Sequence, residues 1–318
     1  MKVVIPGGTG HLGLLLAHAL DRAGNEVVVL SRRADARIPG ARVVWWDGRN
    51  AGTWLAEIDG ADAVLNLAGR SVNCRYSKRH LREMLDSRVD SATVVGTAIT
   101  QAARPPAVWL QMSTATIYAH SVDRANDEAT GILGGSEDGV PAYWAHSVKI
   151  ARDWERAQAD AQTPSTRKVA LRTSIVMASG AGGAFEMMMR LTRCGLGGPI
   201  AGGRQYMSWI HGVDLVRAIE FLLHRGDVDG PVNLASPNPL PYREFMAVLR
   251  RAAGVRGGLP ATAWMAEVGA FALRTDTELL LKSRRVVPGR LLDAGFTFDF
   301  PDWPEAARDL VIRRRSRD

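Results

Sequence analysis

Residues 141–149 read PAYWAHSVK and hold three side chains able to move a proton: Tyr143, His146 and Lys149. Hydride transfer to a carbonyl often uses a phenol as proton donor, with a lysine one helical turn away. Here the tyrosine and lysine are six residues apart, about 240° around a helix, and Ala145 stands four before the lysine. A helix already regular at residue 143 keeps the two apart. A helix that starts late, after Pro141, lets Tyr143 reach Lys149 from the loop. His146 and Lys149 are three apart and share a face. An imidazole is a general acid or base suited to neutral pH, so His146 is a candidate replacement donor, with a lone non-catalytic histidine as the competing reading. A solvent-facing helical lysine is an equal reading of Lys149.

The second chemistry is phosphate binding. VVIPGGTGHLGLLL places Gly7, Gly8, Gly10 and Gly13 between a strand and a helix, with Thr9, His11 and Leu12 interleaved. The glycines permit a tight turn and close backbone approach, and the helix start offers free N–H groups to a pyrophosphate. The next strand ends VVVLSRR. A site for NAD puts a carboxylate there to take the ribose hydroxyls, but this chain has Ser31, Arg32 and Arg33. A hydroxyl and two guanidiniums suit a 2′-phosphate, so NADP(H) is the expected cofactor. Asp35 keeps an ordinary basic loop in view.

Short β-branched runs must carry these groups: KVVIP (2–6), EVVVL (26–30), ARVVWWD (41–47), DAVLNLAG (62–69), AVWLQMST (107–114), KVALRTSIVM (168–177) and GPVNLASP (230–237). Helical periodicity around 11–24, 80–102, 143–161 and 214–225 separates them. Strands alternating with helices predict an α/β fold, a doubly wound parallel sheet. The expected division is 1–236 for the cofactor-binding domain, with 181–207 inserted toward the substrate side. Residues 237–318 form a smaller C-terminal substrate lobe that roofs the strand ends. Phe185, Met188, Met207 and Trp209 are the expected lining of an adaptable apolar substrate pocket, with core packing as the competing role.

Composition narrows the classes. The 318 residues are 46% hydrophobic and 23% charged, with no run long enough to span a membrane and no signal peptide at the N-terminus. A cytoplasmic location is the default. Two cysteines far apart and seven scattered histidines predict no metal site. The net charge of +7 suits an anionic cofactor. The terminal RRRSRD reads as a frayed, solvated end, with no nucleic-acid motif beside it. The expected partner is a small-molecule substrate, with a homodimer possible.

The glycine loop with NLAG (66–69) resembles the extended short-chain dehydrogenase/reductase superfamily. GLGGPIAGGRQYMSWIH, VNLASPNP, VALRTSIVM and VVPGRLLDAGFTFDFP resemble its atypical, YfcH-like "epimerase family" branch, which carries a C-terminal domain of unknown function. That resemblance runs essentially end to end. It implies a Rossmann-type fold with NADP(H), the usual active-site residues commonly missing and the reaction generally unassigned. It also implies pyrophosphate on Gly7 to Gly13, the 2′-phosphate on Ser31 and Arg32, and Asp47, Leu67, Ala68 and Gly69 on the adenosine side. Glu83 and Arg88, in EMLDSR, would reach the cofactor, Ile175 the nicotinamide end and Lys149 the ribose. Thr114, next to Ser113, matches the superfamily's hydroxyl position; a strand-end hydroxyl capping a turn is an equal reading. His211 is expected to help start the helix that Asp214 opens.

One departure bears on substrate. Extended sugar-nucleotide epimerases place a phosphate-clamping arginine two residues before the aromatic of WIH, and this chain has Met207. A thioether cannot form those charge-assisted bonds. The expected activity is thus NADP(H)-dependent oxidoreduction of a small, largely apolar carbonyl, enone or imine, not of a UDP-sugar. The alternatives are a non-redox cyclase, dehydratase or isomerase with structural NADP, and a non-catalytic NADP sensor.

Overall fold

The β-branched runs assemble one parallel sheet. In the computed structural model, which describes residues 1–180, 182–272 and 276–316, seven strands lie in the order β10-β6-β5-β4-β1-β2-β3. They are β1 (Lys2–Pro6), β2 (Glu26–Ser31), β3 (Ala41–Trp45), β4 (Ala63–Asn66), β5 (Val108–Thr114), β6 (Arg167–Thr173) and β10 (Gly230–Leu234). All pair in parallel. Val3, Val4, Ile5, Val28, Val29, Val64 and Leu65 have no exposed surface, as a sheet covered on both faces requires. The order reverses between β1 and β4, and such a switch point opens a crevice at the strands' carboxyl ends.

The helices fall on both faces. α1 (His11–Arg22) packs with α6 (Gly212–His224), and α3 (Lys78–Gln101) packs with α4 (Trp144–Ala159); a single turn, α2 (Leu55–Ile58), precedes β4. Leu16 and Leu20 of α1 point into the core at helical spacing. The expected strand over 168–177 divides at Ser174, whose N–H and hydroxyl both bond the Leu234 carbonyl. The remainder, β7 (Ile175–Met177), leaves the main sheet to pair with β9 (Trp209–His211).

A second core lies beyond the sheet. It joins α5 (Ala184–Arg193), β8 (Tyr206–Met207), β11 (Leu240–Pro241), α7 (Tyr242–Ala253) and α11 (Trp303–Arg315). Phe245 stacks on Trp303 at 3.9 Å between centroids, and Trp303 meets Trp209 edge-on at 5.0 Å. Three shorter helices, α8 (Ala263–Ala272), α9 (Glu278–Leu281) and α10 (Gly289–Asp293), connect these elements. The expected frayed basic end is instead the last turn of α11. Arg313 pairs with Asp309 and Arg314 with Glu186, and only Arg317 and Asp318 of that run lie outside the described residues. Among the described residues no helix is long and apolar enough to cross a membrane.

Candidate active site

The phosphate end is built by β1 turning into α1. Gly7 has φ +77°, and a Cβ there would lie 2.6 Å from the Ala68 Cα, so only glycine lets the two strand ends approach. A Cβ on Gly13 would fall 2.3 Å from the Gly8 carbonyl oxygen. Gly10 is the N-cap of α1, makes no side-chain cap bond and is followed by no acidic residue in the first turn. The helix start is left with open N–H groups and a positive dipole end, a fit for an anionic phosphate. Leu12, by contrast, turns toward the core, so any part it plays here is through its backbone.

A cleft of about 350 Å³ continues from this turn. It is lined by Gly7, Thr9, Gly10, Ser31, Arg32, Arg33, Asp47, Ala68 and Gly69 and, beyond the sequence reading, by Trp46, Arg49, Ser87 and Asp90. The buried Ser31 hydroxyl accepts the Arg33 N–H at 3.0 Å, which holds the corner after β2. Asp47 accepts the N–H groups of Arg49 and Asn50 and the Asn50 amide, and these bonds pull its carboxyl down to about 2. The buried Asn66 side chain accepts the Ala68 N–H at 3.0 Å and so shapes the NLAG turn. Leu67 packs on the core beside it. Trp46 and Asp90 carried no motif signal; the fold alone brings them here.

Two further cofactor expectations part company. Arg88 is buried beneath Gly69, donates to the Met84 carbonyl at 3.0 Å and stacks over Trp154, with its guanidinium toward Tyr76. Glu83 does not join it. Arg70 and Arg79 hold its carboxylate on the outer side of α3, away from the cleft lining. Ile175 is half-buried at the start of β7 and packs on the second core.

The expected acid–base residues are largely corrected. Tyr143 already has helical backbone angles (φ −68°, ψ −17°), so the loop route to Lys149 is closed; its hydroxyl meets Thr277 Oγ1 at 3.1 Å. Lys149 is exposed and pairs with Asp153 one turn on, and His146 shares that exposed face. The buried face of α4 carries Trp144, Val148, Ala151, Trp154 and Gln158, and beside it Ser147, Ala151 and Glu155 line up at i, i+4 and i+8, with Ser147 on Glu278 and Glu155 on Arg172. Its register is fixed by Glu155, which takes a bidentate grip from Arg172 and accepts the Ser113 hydroxyl at 2.6 Å. Ser113 is thereby spent on a buried structural network rather than on a cofactor. Thr114, half-buried at the end of β5, accepts the Thr116 N–H and caps the turn that follows. His211 behaves as expected, its Nδ1 accepting the Val213 N–H to start α6.

The apolar pocket is also corrected. Phe185 and Trp209 have no exposed surface and Met207 has 2%; all three are interior to the second core, with Met188 packed at its edge. What faces the turn after β5 is polar. Lys282 Nζ donates to the Thr116 carbonyl at 2.9 Å and Arg284 Nε to Thr116 Oγ1 at 3.1 Å. Glu278 Oε2 accepts the Ser147 hydroxyl at 2.6 Å. Glu278, Lys282 and Arg284 are 0%, 1% and 7% exposed. Burial pushes the Glu278 carboxyl up and the Lys282 ammonium down to about 8, with Arg284 adding to the latter. The one sequence trace of this cluster is ELLLKSRR, where Glu278 and Lys282 stand at i and i+4 across three leucines and Arg284 follows.

Comparison with known proteins agrees with this architecture. The pattern of the NAD dependent epimerase/dehydratase family matches residues 3–235, and a domain of unknown function, DUF1731, matches residues 261–310. The chain is 32% identical over 316 residues to the Epimerase family protein SDR39U1 of Homo sapiens, covering 98% of this chain and 100% of that protein. It is 28% identical over 319 residues to the Epimerase family protein YfhF of Bacillus subtilis (strain 168), covering 99% and 100%. The crystal structure of human SDR39U1 (isoform 2) with NADPH superposes with a TM-score of 0.84 at 30% identity, covering 98% of this chain and 99% of that one.

Proposed function

The chain belongs to the NAD dependent epimerase/dehydratase family, and on that premise we propose that it is an NADP(H)-dependent oxidoreductase of a small carbonyl, enone or imine. The observation that carries the cofactor choice is the corner after β2, where Ser31, Arg32 and Arg33 line the cleft. A 2′-phosphate finds cations and a hydroxyl there, and two guanidiniums suit its oxygens. The similar human protein solved with NADPH supports the same choice.

NADPH supplies a hydride and its electron pair to such a reaction. This chain's residues do the rest. Gly7, Gly10 and Gly13 let backbone N–H groups close on the pyrophosphate, and Arg88 packs against Gly69, which lines the cleft. Thr114 presents a hydroxyl at the strand end, free to donate because its oxygen accepts the Thr116 N–H. Met207 is buried in the second core where a sugar-nucleotide enzyme has its phosphate clamp, so UDP-sugars are outside the proposed substrates.

The absence of a tyrosine on the inward face of α4 favours a second reading, in which NADP is structural for a non-redox reaction. One assay separates them. The NADPH-loaded protein is mixed with cyclohexanone, benzaldehyde, cyclohexenone and a cyclic imine, and loss of NADPH fluorescence is followed. Oxidation by at least one compound is expected. Bound NADPH untouched by all four would move the assignment to the non-redox reading.

A further inference from the structure

The C-terminal segment around α9 brings three charged side chains against the turn after β5 and against α4. Glu278 reaches Ser147 of α4, a helix that carries no phenol. Lys282 and Arg284 both bond Thr116, two residues past Thr114. Tyr76 interacts electrostatically with Glu278 and Arg284 of this cluster and with Arg88 of α3.

The hydrogen bonds in the cluster are unevenly distributed. Arg284 uses four of its five donors, with Nε on Thr116 Oγ1 and its two terminal nitrogens on the carbonyls of Leu279, Lys282 and Glu278. Lys282 has three N–H donors and uses one, on the Thr116 carbonyl. Glu278 uses Oε2 on Ser147, while Oε1 is buried without a hydrogen-bond partner, 3.8 Å from Lys282 Nζ. The two groups form an ion pair longer than a hydrogen bond, so a buried carboxylate oxygen is incompletely satisfied opposite a lysine with donors to spare. A ligand oxygen set between them would take a proton from the ammonium and, once protonated, donate to Oε1.

We propose that Lys282 is the proton donor of this protein's reduction, in place of a helix-borne tyrosine, with Glu278 and Arg284 as its positioning residues. The proposal rests on the oxidoreductase reading. In the step, the carbonyl carbon gains the hydride and its electron pair from NADPH, and the carbon–oxygen π pair moves to oxygen. That oxygen takes a proton from the Lys282 ammonium, leaving an alcohol, an amine and oxidised cofactor. The amine regains its proton from water by way of Glu278. The charged and titratable groups around Lys282 are Arg284, Glu278, Glu137 and His120. A desolvated lysine beside a second cation gives up its proton near neutral pH, as an acid of this kind must.

The chain has only five lysines, Lys2, Lys78, Lys149, Lys168 and Lys282. Carbon-13 labelling at lysine Cε in the NADPH-loaded protein therefore resolves each, and Lys282 is assigned by its loss in Lys282→Arg. It should titrate near 8 and lower still in Glu278→Gln. With whichever carbonyl probe of the panel the unmutated protein reduces, the rate should fall as pH rises through that value. Lys282→Met should cost about 10²–10⁴-fold in kcat with NADPH affinity unchanged. Lys282→Arg should fail to restore it, because a guanidinium does not release its proton in this range. A Lys282→Arg protein with the original rate and pH profile would overturn the proposal and leave the oxidoreductase reading standing. Failure of the unmutated protein to oxidise NADPH with any probe would sink both.

Discussion

Arg32 and Lys149 show what a single side chain can and cannot be asked to do. Arg32 lies over Gly48 at the rim of the cleft, where a phosphate would sit. A hydrogen bond to a charged group contributes about 1.5–3 kcal/mol, so Arg32→Ala should erase most of any preference for NADPH over NADH in a fluorescence titration. Retention of the full preference would remove Arg32 from the site. Lys149 faces water and pairs with Asp153, so Lys149→Met should leave NADPH affinity within about twofold, since exposed i,i+4 pairs contribute only tenths of a kcal/mol. Tyr143→Phe loses one hydroxyl contact to Thr277 and should likewise leave cofactor binding intact. A tenfold loss in either variant would restore the ribose role inferred from spacing. That role was misread for a definite reason. Helical spacing says which residues share a face, but the face that turns inward is chosen by tertiary partners, here Arg172 on Glu155. The Met and aromatic residues of 185–209 misled in another way, since a pocket wall and a core have the same composition.

Elements were the most legible scale, because periodicity and glycine placement are local. The strands of the main sheet, the α1 turn and the His211 start of α6 all follow from short stretches. The exceptions are β7, which the apolar run 168–177 hides and Ser174 splits off, and the two- and three-residue strands β8, β9 and β11, too short to leave a periodicity. The α6 start also carries a pH dependence. Because His211 Nδ1 accepts the Val213 N–H, that nitrogen bears no proton and the ring is neutral, although Asp309 lies 3.2 Å from Nε2. Burial holds the imidazole down at about 4. A histidine harder to protonate folded than unfolded stabilises the fold above its ordinary value of about 6.5, and that contribution is lost as pH falls toward 4. Urea denaturation at stepped pH should show this decline, and His211→Asn, which keeps a capping side chain, should flatten it. An equal slope in both proteins would assign the acid sensitivity to other groups.

The whole molecule joins a nucleotide-binding sheet to a second core, and the segment around α9 crosses back over the strand ends. That crossing was not legible: Glu278, Lys282 and Arg284 lie more than 160 residues from Thr116 and form no motif. The proposed function leaves out nucleotide sugars, because the Met207 thioether, buried in the second core, offers no charge to a phosphate. Calorimetric titration with UDP-glucose should give no measurable heat of binding, and saturation at micromolar ligand would contradict this. The central claim, a site for the phosphorylated dinucleotide at the β2 corner, has a more direct test. Calorimetric titration of the unmutated protein with NADPH and with NADH should give an NADPH dissociation constant at least about tenfold lower, the equivalent of one charge-assisted contact. Equal dissociation constants for the two cofactors would contradict it.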